Sequence, residues 1–172
     1  AGGESCHTDR AGGGAWLAGG RVLESPVGRF VSPNITPDPE TGIGGWSEGD
    51  LARALRHGIA PDGWHYYPAF PYPAYSGMTD ADIGGLKAFL DSVPPVRNPT
   101  ARHELAWPYN WRILLGLWKL VGFSPAPFEP DPARSEAWNR GAYLVTVLGH
   151  CGECHTPRGG FGVTDEELAL AG

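Results

Sequence analysis

Cys151-Gly152-Glu153-Cys154-His155 constrains this chain more than any other segment, because a C-x-x-C-H run is the attachment site of c-type haem and little else uses it. Cysteines three apart on a helix share one face, so both thiols can add to the vinyl groups along one haem edge. The adjacent His155 then brings its imidazole under the iron. The leading reading is an electron carrier that folds with a porphyrin as much of its core. Two other chemistries use close cysteine pairs. A thioredoxin-like dithiol belongs at a strand-to-helix junction, whereas Trp138 to Leu148 reads as a helix running into the pair. A structural zinc site would enlist Cys6 and His7 beside Cys151 and Cys154, but zinc ligands usually come as two couples within a short stretch, and these lie far apart.

The phrase Cys-His-Thr-x-Arg occurs twice, at Cys6 to Arg10 and at Cys154 to Arg158. Trp16-Leu17-Ala18-Gly19-Gly20 follows the first copy, and Leu168-Ala169-Leu170-Ala171-Gly172 follows the second at a comparable interval. The chain therefore reads as a repeat cut at both ends, with two haem-bearing lobes. A helix is expected over 135–148 ahead of the second copy, closed by Gly149. The first copy has only Ala1, Gly2 and Gly3 before it. The expected organisation is a first lobe over 1–98 without its N-terminal helix, a linker over 99–133 carrying an amphipathic helix at 109–122, and the N-terminal half of a second lobe over 134–172. The first motif also has Gly3 where C-x-x-C-H needs cysteine. Either one thioether through Cys6 holds that haem, or a cysteine belonging between Gly3 and Glu4 is missing.

Gly (26) and Pro (17) make up a quarter of the 172 residues, which points to short helices joined by long loops. Seven Trp supply flat apolar surface suited to a porphyrin face. Ser47 with Asp50 opens a helix over 48–56, and Thr79 with Asp82 opens another over 80–92, ended by Pro94 and Pro95. The apolar stretch Trp111 to Phe123 is interrupted by Arg112 and Lys119 and is too short for a bilayer. It suits a helix packed between lobes, or one lying on a membrane surface or a partner. A formal net charge of −6 leaves no basic stripe to meet nucleic acid, and an acidic face instead suits docking to a basic redox partner.

A low-spin haem needs a sixth ligand. The single methionine, Met78, lies in a loop before the last helix of the first lobe and is the expected distal ligand of the first haem, with His65 as runner-up. His57 reads as a partner for the carbonyl end of its own helix. The second haem's methionine is expected beyond this sequence. In the loop from Asn34 to Trp46, backbone amides, the Asn34 amide and the Trp46 indole N–H can donate to buried propionates. Trp46, Tyr66, Tyr67 and Tyr72 read equally well as packing aromatics.

Ser32 to Trp46 (SPNITPDPETGIGGW), Tyr67 to Tyr72 (YPAFPY) and Trp138 to Leu144 (WNRGAYL) resemble the multihaem cytochrome c subunits of membrane-bound bacterial alcohol, gluconate and aldehyde dehydrogenases, and the likeness covers almost the whole chain. Many members carry Met where this chain has Phe70, so Met78 serves instead. The resemblance implies a subunit that takes electrons from a catalytic partner and passes them to ubiquinone or another cytochrome. The expected fold is all-α, with tandem class I cytochrome c-type domains and long Pro/Gly-rich loops. The expected cofactor is haem c, two in this chain, anchored by Cys6, Cys151 and Cys154 and ligated by His7, His155 and Met78, with Asn34, Trp46 and Tyr67 in contact. Haem c attachment outside the bacterial cytoplasm implies the periplasm, on the outer face of the inner membrane. The expected role is electron transfer without bond-making chemistry; the rival is a haem enzyme with an open or exchangeable distal site, of thiosulfate dehydrogenase or peroxidase type.

Overall fold

The computed structural model describes residues 2–159 and 162–172. In chain order the elements are α1 (Gly2–His7), β1 (Val22–Ser25), β2 (Gly28–Val31), α2 (Glu48–His57), α3 (Tyr72–Tyr75), α4 (Asp80–Ser92), β3 (Glu104–Leu105), α5 (Ile113–Gly122), α6 (Glu136–Tyr143) and α7 (Gly152–His155). A π-helical turn over Leu144–Leu148 prolongs α6, and a 3-10 turn covers Glu166–Leu168. Two compact units form, Ala1–Leu51 with Ile83–Arg112, and Ala52–Asp82 with Ile113–Gly172.

The all-α expectation fails in the first unit. β1 and β2 pair antiparallel, Val22 opposite Val31 and Leu23 opposite Phe30, and β3 joins β2 with Glu104 opposite Arg29. The result is a three-stranded sheet in the order β1-β2-β3. Pro26 and Val27 turn the hairpin, and residues 104–105 of the expected linker supply its third strand. Gly28 has φ 126°, and a Cβ there would stand 2.3 Å from the Glu104 carbonyl oxygen, so only glycine lets β3 approach. Nor are two tandem domains shown, since each compact unit combines two stretches distant in sequence.

Leu17, Ile43, Leu90 and Val93 form the core of the first unit, with Ile35, Trp46 and Leu86 packed against them. The helices begin where their caps require. Ser47 Oγ accepts from Asp50 N (3.1 Å) while Ser47 N donates to Asp50 Oδ2 (3.0 Å), a reciprocal box that starts α2. In the second unit Thr79 Oγ1 accepts from Asp82 N at 3.2 Å, and Ser135 Oγ accepts from Trp138 N at 3.2 Å. α5 begins at Ile113 rather than 109 and buries Leu115 and Lys119. It turns Ile113, Leu117, Leu120 and Val121 outward, each more than 60% exposed. Among the described residues no helix is long and apolar enough to cross a membrane.

Candidate functional site

The two Cys-His-Thr segments are held by the same hydrogen-bond frame. In the first unit the His7 carbonyl accepts from Gly19 N (2.8 Å), Thr8 Oγ1 accepts from Leu17 N (3.0 Å), and Ala18 N donates to Ala15 O (3.1 Å). In the second unit the His155 carbonyl accepts from Gly172 N (3.0 Å), Thr156 Oγ1 accepts from Leu170 N (3.0 Å), and Ala171 N donates to Leu168 O (3.0 Å). Both threonines are buried, and Leu17 and Leu170 both adopt φ 60°, a backbone state uncommon for leucine. In each copy the following arginine pairs with a glutamate of the motif, Arg10 with Glu4 and Arg158 Nη2 with Glu153 Oε2 at 2.6 Å.

This frame presents thiols and imidazoles. Cys6 is half-buried at the end of α1; Cys151 caps α7 and Cys154 lies within it, both exposed; all three are free thiols. His7 Nδ1 lies 2.8 Å from the Pro33 carbonyl oxygen, so Nδ1–H donates there and Nε2 remains an unprotonated ligand atom. Desolvation lowers the His7 pKa against the opposing pull of that hydrogen bond, which favours the neutral, ligating ring. His155 is exposed at the end of α7. Free thiols beside an imidazole fixed through its other nitrogen are the donor set that c-type haem requires, and the residues present fit that group. The zinc alternative lacks a site: among the described residues no three His, Cys, Asp or Glu side chains cluster as metal ligands.

In the second unit Met78 is 6% exposed, and its carbonyl accepts from Arg56 Nε (3.1 Å) and Nη2 (2.6 Å). Met78, Arg56, His57, Ser76 and Asp80, with Pro125 to Pro127, line an open cavity of about 300 Å³. His65 lies against Gly116 of α5. An aromatic cluster approaches the second motif. Phe70 meets Tyr66 and Tyr75 at 5.6 and 5.8 Å, and Tyr75 meets His150 at 5.5 Å. Tyr72 is fully buried, and its hydroxyl has no hydrogen-bond partner. Burial, reinforced by the negative charge of Glu153, raises its phenol above the ordinary value. Such an orphan group beside α7 is what a site built around an additional molecule leaves behind.

Sequence reasoning missed Lys119. It is 9% exposed, donates Nζ to the carbonyls of His57 (2.6 Å) and Gly58 (2.7 Å), and stands 4.5 Å from the Tyr72 ring centroid. It therefore closes the C-terminus of α2, the end at which His57 was the expected partner, and His57 is among the residues lining the Met78 cavity. The available signal was a lone cation inside an apolar helix. Desolvation lowers its pKa from 10.5 to about 8. The native state thus sheds this proton before the unfolded state does, so stability rises with pH between about 8 and 10.5. Wild type is expected to gain about 2 kcal/mol over Lys119→Met between pH 7.5 and 10, measured by urea unfolding. A pH-independent difference contradicts this account.

In the first unit Asn34 is 3% exposed and wholly occupied by its own loop and by Val96. Its Nδ2 donates to Thr41 Oγ1 (3.1 Å) and Val96 O (2.7 Å), and its Oδ1 accepts from Thr36 N (3.0 Å) and Thr36 Oγ1 (2.8 Å). Asp38 Oδ1 accepts from Thr41 Oγ1 (2.7 Å) and Thr41 N (2.6 Å), which lowers its carboxyl pKa and closes the loop. Trp46 packs on the core of this unit, and Tyr67 is buried in the second.

No protein-family model matches the chain. It is 52% identical over 157 residues to a diheme cytochrome c-type protein of Cereibacter sphaeroides, which covers 91% of this chain and 52% of that protein. It is 46% identical over 171 residues to the cytochrome c subunit of an alcohol dehydrogenase (quinone) of Gluconacetobacter polyoxogenes, covering 98% of this chain and 36% of that subunit. It is 42% identical over 170 residues to the fructose dehydrogenase cytochrome subunit of Gluconobacter japonicus, covering 98% and 35%. The chain thus spans about half the length of the first relative and about a third of the other two.

Proposed function

This chain is a homologue of the cytochrome c subunits of alcohol, fructose and gluconate dehydrogenases, and on that premise we propose that it carries single electrons from a dehydrogenase catalytic subunit on two covalently attached haems. The observation that carries this reading is the duplicated frame, in which His7 and His155 are held by matching hydrogen bonds beside free cysteines. Bound haem supplies the one-electron iron couple. The chain's own residues hold and tune it.

Cys6 anchors one haem, and Cys151 with Cys154 the other. His7 is kept neutral and oriented by Pro33, and His155 is set at the end of α7. Asn34 fixes the loop whose Trp46 and backbone amides meet the haem of the first unit, and Tyr67 packs in the second. Met78 is a distal ligand, its position set by the Arg56 clamp on its carbonyl. The acceptor is a quinone or another cytochrome. The site of action is the periplasm, on the outer face of the inner membrane, and the exposed apolar stripe of α5 supports attachment there.

Met78→Ala is expected to abolish the sulfur-to-iron charge-transfer band of the oxidised protein. It should also lower one midpoint potential by on the order of 0.1 V, within the ~0.8 V that axial ligands span. Redox titration followed by optical absorption reads both. An unchanged band and potential would remove Met78 from the ligand set.

A further inference from the structure

Resting on the two-haem reading, we infer that the haems are attached unequally, the one in the first unit by a single thioether to Cys6 and the one in the second by two thioethers to Cys151 and Cys154. The chain holds three cysteines, all free thiols. Gly3 stands three residues before Cys6 within α1, which runs from Gly2 to His7, so it occupies the helical place of the missing cysteine. That place is open: a Cβ at Gly3 would meet no atom within 4 Å. Nothing in the packing demands glycine there, and no other thiol belongs to this motif.

One linkage suffices because the rest of the first site does not depend on the second. Gly19 N fixes the His7 carbonyl, Leu17 N fixes Thr8, and Pro33 orients the imidazole through Nδ1. In the attachment step the Cys6 S–H adds across one vinyl. A carbon–sulfur bond forms, the vinyl π bond breaks, the thiol hydrogen goes to the other vinyl carbon, and nothing is oxidised or reduced. The second vinyl stays conjugated with the ring, so this haem absorbs at longer wavelength than one with both vinyls saturated.

The test begins with the wild-type chain, digested after purification with haem attached. The peptide containing Cys6 is expected to carry one haem, as is the peptide containing Cys151 and Cys154, each at the summed mass that an addition requires. The pyridine haemochrome of Cys151→Ala/Cys154→Ala is expected at longer wavelength than that of wild type, and adding Gly3→Cys is expected to move it back. A Cys6 peptide without haem, or a double variant whose band is not displaced, overturns the inference. If the Cys6 peptide is bare but a second haem is released by acid–acetone, the chain still binds two haems, but the linkage fails and with it covalent attachment of both. If no second haem exists in any form, both fail.

Discussion

Replacing Cys151 and Cys154 together by alanine is expected to cut the haem content of the chain from two to one and to remove one of two redox waves. The two thiols lie one helical turn apart at α7, a helix of only four residues, and both are exposed. So short a helix gains little from its own hydrogen bonds, and its cysteines and histidine depend on the group they hold. Without either thioether, His155 alone must retain the haem from an exposed position, and a single coordinate bond exchanges where a covalent one does not. Cys151→Ala or Cys154→Ala alone is expected to keep the haem, because one thioether remains. Pyridine haemochrome content per chain distinguishes these cases. Two haems persisting in the double variant would place the second haem elsewhere.

Asn34→Ala is expected to destabilise the fold by about 3 kcal/mol, through loss of buried hydrogen bonds worth about 1 kcal/mol each and the exposure of partners that cannot reach water. Four bonds converge on this side chain, and its partner Thr36 is fully buried. Once the amide is gone, Thr36 N loses its acceptor in the dry interior of the loop. The Val96 carbonyl keeps only the longer contact from Thr36 Oγ1 at 3.3 Å. For a chain of this size the expected loss in Tm is about 10 °C. A thermal melt showing a fall of less than about 2 °C would mean that Asn34 does not latch the loop.

What the sequence displayed most clearly was local. The capping pairs Ser47 with Asp50 and Thr79 with Asp82 act within one turn, and the helices begin where they point. The Cys-His-Thr repeat was equally visible, because each copy returns to its histidine within a short interval at Gly19 or Gly172. The hairpin was missed because its strands are only four residues long, and its third strand lay out of reach of any local pattern because it arrives from residues 104–105. Lys119 was missed for the same reason, since its acceptors lie 61 and 62 residues away. Asn34 was noticed as a polar residue in a haem-wrapping loop, but its occupied amide emerges only once Val96 is brought beside it.

The number of haems covalently held by this one chain decides whether it carries electrons on two attached haems. Purified protein denatured in acid and weighed intact, with haem iron and protein quantified on the same sample, is predicted to show two haems per chain that survive denaturation. One covalent haem, or none, would contradict it.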